Sequence, residues 1–291
     1  MRTRGLTGVP APVLVLAAIV SVQFGSAIAR TMFDEISPLG VTFLRQALAA
    51  VVLLAFTRPA LQRWTRAQWI AVGLYGAALA GMNAAFYSAL QYVPLGVAVT
   101  IEFLGPLALA LAMTRRWRDA GWALLAAAGV VLLGTGAQGS ASILGLALAL
   151  LAGAFWAAYI LTSAKVGLEF PGLDGLAVAL VVASVLTAPF GAASAMTAFT
   201  DASLLARGIV VALLSSVIVY ALEMAALRRM SARVFSIMLS LEPAVAAMAG
   251  FIVLGQLLTG TDILGLVLVS VASAAVAYST RDSKVPFEPL E

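Results

Sequence analysis

Residues 95–113 read LGVAVTIEFLGPLALALAM: nineteen residues holding a single ionisable side chain, Glu102, and a single proline, Pro106. At about 20 apolar residues per crossing, this stretch has the length of one membrane-spanning helix. An acid inside such a stretch costs at least about 2.5–3.5 kcal/mol at the bilayer centre, so it needs a partner, water or a function. Pro106 has no backbone N–H, which leaves the carbonyl of residue 102 without its helical donor beside that acid.

The same pattern recurs along the chain. Of the 291 residues, 63% are hydrophobic and 10% charged, against about 25% charged in soluble domains. Apolar segments lie near 12–29, 38–56, 68–91, 95–113, 120–136, 143–164, 174–197, 204–226, 232–256 and 262–279. The expected fold class is therefore all-α: a polytopic membrane protein of ten transmembrane helices, with no room for a large soluble domain. The first segment lacks an early small-residue cleavage site and is expected to stay in the mature protein.

Basic residues give the orientation. Alternate loops carry Arg2 and Arg4; Arg58, Arg63 and Arg66; Arg115, Arg116 and Arg118; Lys165; Arg228, Arg229 and Arg233; and Arg281 and Lys284. The other loops hold Arg30 and Arg207, and Arg45 lies within a span. Cytoplasmic loops are enriched in Lys and Arg, so both termini are expected in the cytoplasm. The basic runs read as topology determinants, and no nucleic-acid partner is expected. The tail, residues 280–291, is expected to be cytoplasmic and without fixed structure.

The two halves resemble each other weakly. At an offset of 137 residues, Phe86–Leu90 falls on Glu223–Leu227 and Pro106 on Pro243; at 131, Phe24 falls on Phe155. Five helices per half is an odd number, so residues 12–136 and 143–279 are expected to form two repeats of opposite topology. Inverted repeats place a substrate site at their interface, near the bilayer midplane.

A helix lining a wet cavity carries a polar or aromatic stripe at helical spacing. Such stripes are Asn83, Tyr87 and Gln91 in the third span, Trp156, Tyr159 and Ser163 in the sixth, and Ser216, Tyr220 and Glu223 in the eighth. The ninth has Ser236, Ser240 and Glu242; the first adds Gln23 and the fourth Glu102. Any one of these side chains taken alone equally suits a bond to a neighbouring helix. Small residues at Ala17, Ser21, Gly25 and Ala29, and at Gly145, Ala149, Gly153 and Ala157, allow close helix packing.

Four ionisable residues fall inside spans: Arg45, Glu102, Glu223 and Glu242. Arg45 and Glu102 each stand seven residues from the outer end of an inward-running span. At 1.5 Å per residue, both lie roughly 10 Å deep. They are therefore expected either to form a structural ion pair or to leave Glu102 for a substrate ammonium or a proton. Glu242 precedes Pro243 in mid-span, so Pro106 and Pro243 both mark helix breaks beside acids. Glu223 lies near a cytoplasmic end, within range of Arg228 and Arg229.

Several runs now carry a resemblance to a known family. Gly81-Met82-Asn83, Phe86-Tyr87, Val93-Pro94-Leu95-Gly96 and Glu102-Phe103-Leu104-Gly105-Pro106 resemble the EamA-type branch of the drug/metabolite transporter superfamily, most of all its bacterial threonine/homoserine exporter type. So do Ser21-Val22-Gln23, Phe155 to Leu161, Leu222-Glu223-Met224 and Ser240 to Ala244. The resemblance implies ten helices in two inverted repeats, an inner-membrane location and export of amino acids or related metabolites. It also implies a cavity lined by the first, third, fourth, sixth, eighth and ninth spans. Gln256 departs from it, since the family often ends this span with Leu-Gly-Glu.

The expected function is a secondary exporter of small amino acids working by alternating access, with no enzyme activity. The expected substrate-binding residues are Gln23, Asn83, Tyr87, Glu102, Trp156, Tyr159, Tyr220, Glu223 and Glu242. Glu102 or Glu242 would meet the ammonium, and Asn83, Gln23 and helix-end backbone groups the carboxylate. With no Cys and no His, no metal site and no cofactor are expected. The chain also lacks a phosphate-binding Gly-x-x-x-x-Gly-Lys-Ser/Thr motif. Other cargo, such as sugars, nucleotide-linked metabolites or drugs, remains open; strongly anionic cargo would call for several intramembrane cations, and Arg45 alone is present. An intramembrane enzyme would need a Ser/Lys or carboxylate pair, and neither Lys lies in a span. A membrane scaffold without transport is the third alternative.

Overall fold

The computed structural model describes residues 9–114, 120–134, 142–227 and 229–279. Among them, nine helical segments are long and apolar enough to cross a membrane, and one further apolar helix is shorter. Five spans are unbroken or nearly so: α1 (Ala11–Arg30), α2 (Pro38–Thr57), α3 (Arg66–Ala89), α7 (Ile143–Glu169) and α8 (Asp174–Ala195). Two spans are each divided in the middle, into α4 (Leu95–Glu102) and α5 (Leu104–Thr114), and into α11 (Ala232–Leu239) and α12 (Glu242–Leu254). A third combines α9 (Ala202–Ala212), one π-helical turn at Leu213–Val217 and α10 (Ile218–Leu227). The short α6 (Ala120–Gly134) and α13 (Gly260–Ser279) complete the bundle. The tail 280–291 and the basic residues Arg2, Arg4, Arg115, Arg116, Arg118, Arg228, Arg281 and Lys284 lie outside the described residues.

Helix starts follow local chemistry. The Ser37 hydroxyl accepts from the Gly40 N–H, Thr65 and Gln68 form a reciprocal capping box, and Asp201 caps α9. Each cap satisfies N–H groups that the first turn leaves without helical partners.

Both interruptions arise at the expected prolines. The α4–α5 break falls at Phe103, three residues before Pro106, and the α11–α12 break at Ser240–Leu241, with Pro243 in the first turn of α12. The 137-residue offset superposes the two breaks. The long α3 packs on α7 and α8, and the α9–α10 span packs on α1 and α2. Further pairs are α2 with α8, α4 with α12, and α6 with α13.

Polar contacts cross-link the bundle at one end. Arg30 Nε donates to the Leu90 carbonyl at 2.8 Å, joining α1 to the end of α3. The Ser37 N–H donates to Ser194 Oγ at 2.8 Å, joining α2 to α8. Arg207 reaches Glu35 at 3.2 Å and the Thr31 carbonyl at 3.3 Å.

Gln256 completes this set. Gly255, at φ +64°, turns the chain out of α12 in the left-handed conformation that glycine tolerates. Gln256 Oε1 then accepts the Leu95 N–H at 3.0 Å. This is one of the orphan donors at the start of α4, and what it requires is an acceptor oxygen rather than a charge. Gln256→Glu is therefore expected to keep stability close to wild type. Gln256→Leu is expected to cost about 1–2 kcal/mol by leaving a buried donor, the Leu95 N–H, unmet. Thermal unfolding in detergent checks both.

Candidate functional site: a buried cation held by neutral acceptors

The site begins with Arg45 on α2, which is 5% exposed and therefore needs acceptors. Its Nε donates to Ser216 Oγ at 3.1 Å. Its Nη1 donates to Asn83 Oδ1 at 2.7 Å and to the Tyr87 hydroxyl at 3.1 Å. Its Nη2 donates to the Ser215 carbonyl at 2.6 Å. The guanidinium also lies 5.5 Å from the centre of the Tyr87 ring.

Two features of the backbone make this geometry. Asn83 and Tyr87 stand one turn apart on α3, so both reach the same nitrogen. The Ser215 carbonyl belongs to the π turn, where the wider i→i+5 pattern disturbs the regular ladder of bonds. The turn also seats against α1: Ser21 Oγ donates to the Leu214 carbonyl at 2.6 Å, and Gly25 abuts Ser215.

The expected ion pair between Arg45 and Glu102 is not made. The one ion pair among the described residues joins Arg207 to Glu35, and every acceptor bonded to Arg45 is neutral. The side chain of Arg45 is turned toward α3 and the π turn instead. Glu102 still lies within electrostatic reach of Arg45. Its carboxyl has no hydrogen-bond or ion-pair partner among the described residues, and the residue is 8% exposed.

Two more acids complete the cluster. Glu242, the first residue of α12, is within electrostatic reach of both Glu102 and Glu223. Glu223 in turn neighbours Tyr75, Tyr159 and Tyr220. The Tyr75 and Tyr159 rings are 5.4 Å apart, and Trp156 meets Phe103 edge-on at 5.1 Å. Trp156, Tyr159, Tyr220 and Glu223 are half-buried, so they are reachable, whereas Tyr87 is fully enclosed.

Electrostatic influence runs from Glu102 to Glu242, from Glu242 to Glu223 and from Glu223 to Tyr159 and Tyr220, and Trp156 lies beside Phe103. Asn83 does not stand free for a ligand: its oxygen serves Arg45 and its Nδ2 donates to the Leu79 carbonyl at 2.8 Å. Gln23 on α1 is 3% exposed, and its Oε1 is enclosed without a hydrogen-bond partner among the described residues. Gln91 falls beyond the end of α3 and is exposed, as is Ser236. Three residues that the polar stripes did not single out for this site belong to it: Ser215, Tyr75 and Phe103. Tyr75 lies two turns before Asn83 on α3, a spacing that could have flagged it.

Residues 143–278 match the EamA-like transporter family. The threonine/homoserine exporter RhtA of Salmonella typhimurium strain LT2 is 43% identical over 273 residues, covering 93% of this chain and 92% of the relative. The protein of the same name from Escherichia coli strain K12 is 41% identical over 276 residues, covering 94% and 93%. A solved crystal structure 18% identical to this chain has a TM-score of 0.63, over 92% of this chain and 96% of its own, a likeness of fold. With relatives so similar over nearly its whole length, the chain belongs to the EamA-like transporter family.

Proposed function

We propose that this protein is a secondary exporter of small neutral amino acids, threonine and homoserine first, across the bacterial inner membrane. It works by alternating access, as ten helices in two inverted repeats, residues 12–136 and 143–279, with both termini in the cytoplasm. The observation that carries the substrate is the 41–43% identity to threonine/homoserine exporters over more than nine-tenths of both chains.

The geometry supports the rest. The matching breaks at Phe103 and Ser240–Leu241 and the reciprocal packing of α3 and the α9–α10 span favour two related halves. Helices broken at mid-span are how secondary transporters expose backbone groups to substrate. The polar cross-links at the Arg30–Gln256 end, on the side with few basic loop residues, favour a state closed to the periplasm. In this reading Glu102 holds the ammonium. Trp156, Tyr159 and Tyr220 shape the pocket around the side chain, and Glu223 and Glu242 keep it favourable to cations.

Counterflow in proteoliposomes tests the reading. Vesicles loaded with unlabelled threonine are expected to accumulate external labelled threonine saturably, with homoserine competing. Absence of saturable flux for every amino acid tried would overturn it.

A further inference from the structure

We infer that Arg45 is the group that recognises the substrate's carboxylate, so that the site selects α-amino acids by bridging two charges it keeps apart. This rests on the exporter reading above and names the second half of its binding site. A guanidinium has five N–H donors in a fixed plane. Four are used, on Asn83, Tyr87, Ser216 and the Ser215 carbonyl. One N–H of Nη2 is left without an acceptor among the described residues.

The acceptors are all neutral, so they orient the guanidinium without cancelling its charge. A buried cation held this way is costly, and a direct carboxylate partner would be the ordinary remedy. Glu102 is close enough to interact electrostatically, yet its carboxyl makes no direct contact with Arg45. Each member of this separated pair retains capacity for an opposite charge. A zwitterion has an ammonium and a carboxylate on one carbon, and it offers the ammonium to Glu102 and the carboxylate to Arg45. Binding then leaves neither charge unmatched, and a planar guanidinium suits a carboxylate better than an ammonium group does.

Asn83, Tyr87 and Ser216 become positioning residues. They fix Arg45 from α3 and the π turn, and that leaves Asn83 engaged rather than available to the ligand. A single amine or a single acid would fill half of the arrangement and leave the other charge buried alone.

The test compares ligands before it compares variants. In threonine counterflow with the wild-type protein, threonine amide and threoninol, which keep the ammonium and lose the carboxylate, are expected to compete at least 10-fold more weakly than threonine. Equal competition by either compound overturns the proposal. In Arg45→Gln the advantage of threonine over its amide is expected to fall below about 3-fold, through weaker threonine binding and unchanged amide binding. Wild-type discrimination in that variant overturns it too. If Arg45→Gln does not fold, Ser216→Ala is read instead, since it loosens Nε and leaves the charge in place. There the half-saturation for threonine is expected to rise more than that for the amide, and equal shifts overturn the proposal. Failure of the exporter reading is distinct: the wild type would then show no saturable amino-acid counterflow at all.

Discussion

Glutamine at position 102 is expected to lower threonine counterflow by about 10- to 100-fold while leaving the protein folded. Glu102 is the last residue of α4, and its carboxyl is committed to no described side chain or backbone group. Its removal therefore costs the fold no hydrogen bond, and an amide of the same shape is less expensive to keep out of water than a carboxylate. A hydrogen bond to a charged group contributes about 1.5–3 kcal/mol, and each 1.4 kcal/mol is tenfold in affinity. Losing the charge opposite a substrate ammonium therefore predicts the stated range. The loss is expected mainly in half-saturation, with size-exclusion profile and apparent Tm near those of wild type. Wild-type flux in Glu102→Gln would take Glu102 out of the site. Glu242→Gln is a useful contrast: Glu242 repels Glu102 rather than facing Arg45, so its loss is expected to have a smaller effect.

These two acids also show what the sequence could reveal. The spans were legible because lipid demands uninterrupted apolar length, and the two mid-span breaks because Pro106 and Pro243 remove helical donors. Counting residues could set Arg45 and Glu102 equally far along their spans, but not in which direction around the helix axis each points, and direction decides partners. Arg45 is turned toward Asn83, Tyr87 and Ser216, so the two charges do not meet. Nothing in the apolar run Leu213-Leu214-Ser215-Ser216-Val217 announces a π turn, because its cause is tertiary. The carbonyl of Ser215 serves a guanidinium from another helix, and Gly25 brings α1 against it. Gln91 kept the helical spacing of Asn83 and Tyr87, yet the helix ends at Ala89 before reaching it. The acids and aromatic residues of the candidate site were thus readable one by one from chemistry and resemblance, while the device that holds its cation was not.

The largest structural effect is expected from the smallest change, Gly105→Ala. Here α5 crosses α7 with backbone against backbone: a Cβ added at Gly105 would run into the carbonyl of Gly153, and one added at Gly153 would come within 2.5 Å of the Glu102 carbonyl. Both obstacles are main-chain atoms inside helices, so no side-chain rotation relieves them and the helices themselves must separate. Overpacking of this kind usually costs about 1–3 kcal/mol and occasionally more. With two backbones in contact, the upper end of that range or beyond is expected. For a chain of this size that is a fall in apparent Tm of about 6 °C or more, or loss of folded protein. The added separation also falls where it harms function, since Glu102 ends the preceding helix and Phe103 packs on Trp156. Gly121→Ala is the matched control: a Cβ there meets nothing within 4 Å, so the same methyl in α6 is expected to be neutral or to stabilise by up to about 1 kcal/mol. Equal Tm values for the two variants would mean that the α5–α7 crossing is not the close contact that sets the position of Glu102.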